Sequence, residues 1–322
     1  MRGIVVGVLR GGPSREHEVS LKTGHAIVSN LSPEQFTVRD IYIDRAGVWH
    51  ERGRPSAPER ILPAVDVVLI GLHGEYGEDG EVQKVLERYG TPYAGSNPYG
   101  SFLAMHKKLA KERVKEAGLR VARDYLIESA DDAEEAAREI TRNFLQPVVV
   151  KPLRWGSSVG VSIVGGYQPV HEAIRALFEA GAEGVLVEER ITGREATAGV
   201  LEKFRGEDIY MLPPIEIVPP EGDFFSYDAK YSGATREICP TRFSKQVNEE
   251  LMRAAKTAHE ALGLRDYSRS DFIVSPRGVY YLETNPLPAM TSESLIPKSL
   301  ETIGLPFPDF FSHLVELALN RK

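Results

Sequence analysis

The sequence has only one cysteine, Cys239, among its 322 residues, so no disulfide can form within the chain and a reducing compartment is expected. No apolar run approaches the length of a membrane span, and the apolar part of the N-terminus is too short for a signal peptide. Basic residues do not dominate, since 39 Lys and Arg stand against 46 Asp and Glu, which argues against a nucleic-acid-binding surface. The composition predicts a soluble, cytoplasmic protein that binds neither membranes nor nucleic acids.

Two common nucleotide-binding motifs are missing as well. The sequence contains no G-x-x-x-x-G-K-[ST] loop and no G-x-G-x-x-G after a predicted strand. A different glycine- and serine-rich turn follows Lys151, in the segment KPLRWGSSVGVS at residues 151–162. Its backbone N–H groups and hydroxyls can hold phosphate oxygens, and Lys151 adds a positive charge. An ordinary hairpin turn is the other interpretation of the same residues.

Apolar runs and helical periodicity predict an α/β fold. Buried strands are predicted at residues 3–9 and 65–74, each followed by a helix, which indicates a parallel sheet with sites at the carboxyl ends of its strands. One long amphipathic helix is predicted over residues 97–118. Residues 121–188 are expected to form a small α+β unit, and residues 213–240 a long loop rich in turn residues.

Two predicted strands near the C-terminus, SRSDFIV and VYYLETN, form a β-hairpin around the residues S-P-R-G. A three-residue loop, P-R-G, pairs Ser275 with Val279. The same register places Asp271 opposite Glu283, with Asn285 on the same face. Opposed carboxylates repel each other unless a cation lies between them, and carboxylate and amide oxygens suit Mg²⁺. The hairpin therefore predicts a divalent-cation site; a solvated strand end is the alternative.

Arg269 lies two residues before Asp271 and on the same face of its strand. An arginine beside a metal site is typical of the charge clamp that stabilises phosphoryl transfer. A structural salt bridge from Arg269 to Glu283 is the alternative.

Segments spread over nearly the whole chain resemble, in the same order, those of the D-alanine–D-alanine ligases of the ATP-grasp superfamily. They are GGPSREHEVS, LHGEYGEDG, MHKKLAK, VVVKPLRWGSSVGVS, VLVEERITGRE, YDAKY, the R-x-D pair and the E-x-N strand that leads to MTSES. The resemblance implies an α/β, three-domain ATP-grasp architecture: a Rossmann-like domain at 1–98, a small α+β lid at 99–188, and a C-terminal α+β metal-binding domain at 189–322.

The resemblance also implies an activity. Such an enzyme uses ATP to join two D-alanine molecules through a D-alanyl phosphate, releasing ADP and phosphate, for peptidoglycan precursor synthesis. It is expected to need two Mg²⁺ or Mn²⁺ ions and to form a homodimer.

The resemblance assigns roles to residues of this chain by position. Those implied for ATP are Lys107, Lys151, Ser157, Ser158, Glu188, Glu189, Ile191 and Glu195. Those implied for metal are Asp271, Glu283 and Asn285. Those implied for catalysis and substrate are Glu18 for the first ammonium, Ser157 and Tyr231 as its hydrogen-bonded partners, Arg269 for the acyl phosphate, Ser294 for the second carboxylate, and Lys230 for the γ-phosphate. His73 either contacts substrate or only holds a turn.

One segment departs from the family pattern N-T-x-P-G-[MF]-T. Here Asn285 is followed by Pro286, and Ala289 stands where the family has glycine. Pro286 removes a backbone donor, and the methyl of Ala289 resists a positive φ. Three functions therefore stay open: the dipeptide ligase; a relative that adds another D-amino acid or a hydroxy acid, the latter disfavoured by Tyr231; and an ATP-binding paralogue that does not ligate.

Overall fold

The computed structural model describes residues 3–219, 235–291 and 293–321. The helices in these residues are α1 (His17–Asn30), α2 (Pro58–Ile61), α3 (Glu81–Arg88), α4 (Pro98–Met105), α5 (Lys107–Glu116), α6 (Ala133–Asn143), α7 (Tyr167–Glu179), α8 (Lys245–Ala261), α9 (Leu295–Thr302) and α10 (Phe307–Asn320). The strands are β1 (Ile4–Gly11), β2 (Phe36–Ile43), β3 (Trp49–Glu51), β4 (Arg54–Pro55), β5 (Val67–Ile70), β6 (Arg120–Val121), β7 (Asp124–Ile127), β8 (Val148–Pro152), β9 (Ser162–Val164), β10 (Val185–Glu189), β11 (Arg194–Phe204), β12 (Glu207–Met211), β13 (Ile215–Val218), β14 (Arg236–Ile238), β15 (Tyr267–Ser275) and β16 (Gly278–Asn285). None of the described helices has the length and apolar character needed to cross a membrane.

The first sheet has the strand order β4-β3-β2-β1-β5, and β1 pairs in parallel with both β2 and β5. The parallel sheet predicted from the apolar runs is confirmed. Phe310 and Val315 of α10 pack into its core together with Val6. Because the carboxyl ends of β1 and β5 lie at one edge, the loops that follow them meet there. The hydroxyl of Ser14 donates to the carbonyl of His73 at 2.6 Å.

The second sheet is antiparallel, with the order β7-β10-β8-β9, and α6 and α7 cover one of its faces. This is the small α+β unit expected for residues 121–188. Side chains alternate along the strands, so Val150 and Val187 enter the apolar cluster under the helices. Their neighbours Lys151 and Glu188 line a cavity on the other face. Because side chains alternate along these strands, the positive Lys151 and the negative Glu188 line the same cavity.

The third sheet has the order β14-β13-β11-β15-β16-β6, with β12 paired to β11. Its core contains Ala255 of α8 and Tyr281 of β16, and also Ala104 of α4 and Val114 of α5. Helices α4 and α5 thus share a core with the third sheet. The domain limits given above stay a prediction.

The single helix predicted over residues 97–118 is wrong, because two helices meet at His106. His106 has φ −86° and ψ 89°, outside the helical region. Its ring nitrogen accepts a hydrogen bond from the backbone N–H of Leu109 at 3.3 Å and so caps α5. The start of α4 is capped by Asn97. The break makes Lys107 the first residue of α5, and its side chain is buried.

The hairpin of β15 and β16 is confirmed, but its turn differs from the prediction. Ser275 pairs with Gly278, so the turn is one residue shorter than a loop that would pair Ser275 with Val279. A regular ladder from this turn would not bring Asp271 opposite Glu283. They are nevertheless paired, because the register shifts by one residue between Asp271 and its neighbour.

This β-bulge determines which way the acidic side chains point. Phe272 pairs with Tyr281, and their rings pack edge to face in the buried core. The next pair along is Asp271 with Glu283, so Leu282 is the extra residue of β16. A one-residue insertion reverses which face later side chains occupy. Without it, Glu283 would follow Tyr281 into the core rather than line a cavity.

Candidate active site

Two adjoining cavities lie between the three sheets. The large cavity measures about 860 Å³, and the small cavity about 500 Å³. Residues predicted from the sequence that line the large cavity are Glu18, His73, Lys107, Ser157, Arg269, Glu283, Asn285, Ala289 and Ser294. Those that line the small cavity are Lys107, Lys151, Ser158, Glu188, Glu189, Ile191, Glu195, Asp271 and Glu283. Every predicted site residue that the structure describes therefore lines a cavity; Lys230 and Tyr231 lie outside the described residues.

A buried charge cluster forms one wall of the small cavity. Glu188 Oε1 lies 2.8 Å from Lys151 Nζ and 2.9 Å from Lys111 Nζ. Burial opposes ionisation of Glu188, but the two ammonium groups outweigh it and hold the pKa of Glu188 below its ordinary value. Lys111 was not predicted. It lies one helical turn after Lys107 in MHKKLAK, and this i,i+4 spacing was the available signal.

Lys107 lies at the junction of the two cavities, together with Trp155 and Glu283. Its ammonium donates to the carbonyl of Trp155 at 2.6 Å and lies 3.5 Å from Glu283 Oε2. Burial lowers the pKa of Lys107, and the positive charge of Lys151 lowers it further, whereas Glu283 opposes both effects. A lysine in this position can contact groups in either cavity.

The predicted metal residues meet at the same junction. Asp271 accepts two hydrogen bonds from Arg269, from Nε and Nη2, each 2.9 Å long. It also accepts one from Thr197 at 2.6 Å. Arg269 thus forms its ion pair with Asp271, where a salt bridge to Glu283 had been the alternative prediction. The amide oxygen of Asn285 accepts the backbone N–H of Leu287, which closes the turn after β16.

Two consecutive serines shape the turn between the cavities. Ser157 and Ser158 have φ values of 51° and 57°, in the left-handed region that non-glycine residues rarely adopt. Ser157 lines the large cavity and Ser158 the small one. Such backbone conformations are found in binding sites, where the surrounding structure holds them in place.

The carboxylate that meets Ser157 is Glu16, whereas the sequence had indicated Glu18. The hydroxyl of Ser157 donates to Glu16 Oε1. Glu18 pairs instead with Arg45 at 2.9 Å, with its side chain 72% exposed. Glu16 precedes α1 and Glu18 lies in its first turn. Residues two apart on a helix project in widely different directions, so only one of the two can face Ser157.

His73 is buried, and both nitrogens of its ring have protein partners. Nε2 lies 2.8 Å from the hydroxyl of Thr23, and Nδ1 lies 3.1 Å from Glu78 Oε1. These contacts favour the role of holding the turn over direct contact with substrate. Glu78 is itself buried and lines the large cavity. It was not predicted, although it lies in the quoted LHGEYGEDG segment.

In the segment after Asn285, two apolar side chains are buried in a core, and residues between and after them line the large cavity. Leu287 and Met290 are buried in the core of the first sheet, whereas Ala289 lines the large cavity. Ser294 immediately precedes α9, and its hydroxyl accepts the backbone N–H of Thr291 at 3.1 Å. Among the described residues other than glycine, those with positive φ do not include Ala289. The alanine therefore occupies an ordinary backbone conformation.

We expect Ala289→Gly to bring no gain in catalysis, because no backbone strain at Ala289 needs relief. Glycine should lower the free energy of unfolding by about 0.4–1 kcal/mol through added flexibility of the unfolded chain. Steady-state kinetics with separate constants for the two amino-acid subsites, and urea unfolding, measure both effects. Ala261→Gly at the end of α8, far from the site, is the stability control. A lower KM for the second amino acid would show that the methyl does crowd that subsite.

A buried carboxylate that lines the small cavity joins two arginines. Glu216 is 1% exposed, and Arg194 and Arg242 both donate to it, with Arg194 Nε at 3.0 Å and Arg242 Nη2 at 2.6 Å. Burial alone would raise the pKa of Glu216, but the hydrogen bonds from Arg242 and Arg194 outweigh it and lower the pKa to about 2. This cluster fixes β13 to β11 and to the segment before α8.

We expect the contribution of Glu216 to stability to be complete at neutral pH and to be lost in acid. Its pKa in the folded chain, about 2, lies below the ordinary value of 4.5, so the contribution disappears as pH falls between these values. Glu216→Gln should lower the free energy of unfolding at pH 7 by about 1–3 kcal/mol. The deficit should shrink towards zero in urea titrations at decreasing pH. Glu207→Gln, at the exposed start of β12, is the control. Equal stability of Glu216→Gln and the parent at pH 7 would contradict the proposed contribution of Glu216.

The fold has three sheets and two adjoining cavities. Lys151 and Glu188 line the small cavity, and the hairpin that carries Asp271 and Glu283 lies where it meets the large one. This is the fold of the ATP-grasp ligases. Family models match most of the chain: "D-ala D-ala ligase N-terminus" over residues 5–96 and "D-ala D-ala ligase C-terminus" over residues 114–316. The chain belongs to the D-alanine–D-alanine ligase family.

Individual relatives are similar over nearly their full length. The D-alanine–D-alanine ligase of Syntrophobacter fumaroxidans is 40% identical over 321 residues, which cover 98% of each chain. The crystal structure of VanG D-Ala:D-Ser ligase from Enterococcus faecalis matches with a TM-score of 0.86 at 30% identity, covering 98% of this chain and 100% of that one. The D-alanine–D-alanine ligase of Bacillus anthracis complexed with ATP matches with a TM-score of 0.80 at 28% identity, covering 99% of this chain and 98% of that one.

Proposed function

We propose that this chain joins two D-alanine molecules into D-alanyl-D-alanine, with conversion of ATP to ADP and phosphate, as a source of peptidoglycan precursor. One observation carries the proposal: the two cavities meet at Lys107 and Glu283. A nucleotide in the small cavity would direct its terminal phosphate towards a carboxylate held in the large one. Membership of the ligase family and the likeness to a ligase solved with ATP support it.

ATP is proposed to bind with its base against the strand end at Glu189 and Ile191 and its ribose near Glu195. Lys151 and Lys107 would contact the phosphates, and Ser158 would close over them. In this structure Lys107 donates to the carbonyl of Trp155, so a bound phosphate would take over that hydrogen bond. Phosphate oxygens accept from ammonium groups as readily as a carbonyl does.

The donor set at the hairpin fits a magnesium or manganese ion. Among the residues that the structure describes, no group of three or more His, Cys, Asp or Glu side chains could hold a metal by itself. Asp271, Glu283 and Asn285 offer two carboxylates and one amide oxygen. Mg²⁺ is commonly held by one or two carboxylates together with substrate phosphates, so this set suits ions that bind with ATP. Two such ions would neutralise the charge that develops on the transferred phosphoryl group.

The proposed reaction has two steps. In the first, the carboxylate of the first D-alanine attacks the γ-phosphorus of ATP, ADP leaves, and a D-alanyl phosphate forms. The amine of the second D-alanine attacks the acyl carbon, and the tetrahedral intermediate expels phosphate. Arg269 is proposed to stabilise the negative oxygen of the tetrahedral intermediate. Ser294 is proposed to bind the carboxylate of the second D-alanine. Lys230 and Tyr231, which lie outside the described residues, are proposed to bind the γ-phosphate and the first D-alanine.

Glu16, rather than Glu18, is proposed to receive the first ammonium group, because Glu16 meets Ser157 inside the cavity. Glu16→Gln should raise the KM for the first D-alanine about 10- to 150-fold, the effect of losing a hydrogen bond to a charged group. Glu18→Gln is the matched control and should change this KM less than about threefold. Kinetics at saturating ATP separate the two. The reverse order of effects would return the role to Glu18.

A panel of second substrates tests the proposed function. We expect phosphate release from ATP only with D-amino acids present, and a product with the mass of D-alanyl-D-alanine. D-Serine is included because VanG, a structural neighbour, is a D-Ala:D-Ser ligase, and D-lactate tests for depsipeptide formation. A dominant D-alanyl-D-serine product would assign the neighbour's specificity. Binding of ATP without amino-acid-dependent phosphate release would favour a non-ligating paralogue.

A cytoplasmic, homodimeric enzyme is part of this proposal, and family membership supports it. Light scattering coupled to gel filtration measures the oligomeric state. A mass of one chain, 35.7 kDa, would reject the dimer without affecting the proposed reaction.

A further inference from the structure

Trp155 is the residue just before the Gly-Ser-Ser turn, and it lines both cavities. Its backbone carbonyl accepts a hydrogen bond from Lys107. The guanidinium carbon of Arg15 lies 3.7 Å from the centroid of its ring, in stacking contact. The roles described above use the backbone of Trp155 but give none to its ring or to Arg15.

Arg15 lies in the loop between β1 and α1, and hydrogen bonds on both sides of it hold this loop in place. The preceding residue, Ser14, donates from its hydroxyl to the carbonyl of His73 and accepts the backbone N–H of Glu16 at 3.2 Å. The carbonyl of Glu16 accepts the backbone N–H of Ser20 in α1 at 2.9 Å. The backbone on both sides of Arg15 is thereby fixed to the loops at the carboxyl edge of the first sheet.

The side chain of Arg15 reaches the second sheet at two points. Besides stacking on Trp155, its Nη2 donates to the carbonyl of Ala180, just after α7, at 3.0 Å. The adjacent pair, Glu16 with Ser157, crosses the same gap. Two of these three contacts, the Arg15–Trp155 stack and the Glu16–Ser157 hydrogen bond, therefore hold the turn that separates the cavities. Arg15 itself is exposed and lines neither cavity.

We propose that Arg15 is a positioning residue for the first-substrate subsite. Its stack on Trp155 and its hydrogen bond to Ala180 hold the Gly-Ser turn against the first sheet, so that Ser157 meets Glu16. The inference rests on the proposed function, because it concerns the subsite where the first D-alanine would bind. A cation is attracted more strongly to the face of an indole than to other aromatic rings, and the planar guanidinium can stack there while its N–H groups donate at the edge.

The contact itself can be tested without activity, because the chain has two tryptophans and the other, Trp49, is buried. In a Trp49→Phe background, emission and acrylamide quenching report on Trp155 alone. Arg15→Ala should shift the emission to the red and increase quenching, since one ring face becomes open to water. Arg175→Ala, which removes an exposed arginine from α7, is the matched control and should change neither. Emission and quenching identical to the parent would overturn the proposal.

The positioning role is tested by kinetics. Arg15→Ala should raise the KM for the first D-alanine about 5- to 70-fold, the loss of one exposed cation–π contact and one hydrogen bond, with kcat within about twofold. Arg15→Lys, which keeps a cation over the ring, should recover part of the loss. The melting temperature of each variant is recorded, and Trp155→Phe provides a second variant that keeps an aromatic face. If the emission changes but the KM for the first D-alanine does not, the contact is only surface packing and the positioning role is rejected. Absence of dipeptide from the parent enzyme would instead count against the proposed function, and the emission experiment would still decide whether the contact exists.

Discussion

Replacing Arg269 with methionine is expected to lower kcat about 10³- to 10⁵-fold, the range found when a transition-state arginine is removed from phosphoryl-transfer sites. Arg269 is largely buried, donates twice to Asp271, and lines the large cavity. Its loss would remove the positive charge beside the reacting groups and release the carboxylate that it orients. Phosphate release at saturating substrates measures the effect.

Arg269→Lys separates charge from geometry, because a lysine keeps the charge but lacks the planar pair of donors. We expect it to be intermediate between the parent and Arg269→Met. Arg253→Met removes an arginine from the exposed face of α8 and should leave kcat unchanged. Retention of parental kcat in a folded Arg269→Met protein would restrict Arg269 to a structural ion pair.

Glu283→Gln should lower turnover about 10³-fold or more at ordinary Mg²⁺ concentrations, an effect comparable to loss of a clamp on a transferring phosphoryl group. The substitution removes the charge of Glu283 with little change in volume, so the bulged strand should keep its register. Turnover should recover partly at high Mg²⁺ if the weakened site can be saturated. Initial rates over a metal titration, with chelator as the zero point, make the measurement.

Glu301→Gln, at the exposed C-terminal end of α9, is the control and should behave as the parent. Parental turnover in excess chelator would remove the metal from the proposed reaction. Loss of activity in Glu283→Gln that is equal at all Mg²⁺ concentrations would point instead to its contact with Lys107, 3.5 Å away.

The sequence predicted the features that depend on local residue patterns. Apolar runs followed by helices predicted the parallel pairing of β1 with β5, and the S-P-R-G turn predicted the hairpin. The residues to which the family resemblance assigns roles line the two cavities where the structure describes them. These features follow from local periodicity and turn chemistry, which one sequence contains.

Features that depend on single residues in a tertiary setting were missed. The helical pattern continues through His106, and only the capping of Leu109 by its ring shows the break. The alternation of side chains along the strand did not predict the bulge at Leu282. The turn is one residue shorter than predicted and the bulge adds one residue, so the two differences cancel and Asp271 still pairs with Glu283. In the same way, nothing local in the sequence showed which of two carboxylates two positions apart, Glu16 or Glu18, would meet Ser157.

The most direct measurement of the central claim follows oxygen from substrate to phosphate. With D-alanine labelled by ¹⁸O in its carboxylate, formation of a D-alanyl phosphate makes one labelled oxygen the bridge to phosphorus. Attack by the second amine breaks the bond between that oxygen and the acyl carbon, so the released phosphate carries one ¹⁸O for each dipeptide formed. Mass spectrometry of the phosphate reads this out, and one label per phosphate is the predicted result. Phosphate that contains no ¹⁸O would contradict the proposed ligation, because its new oxygen would then have come from water.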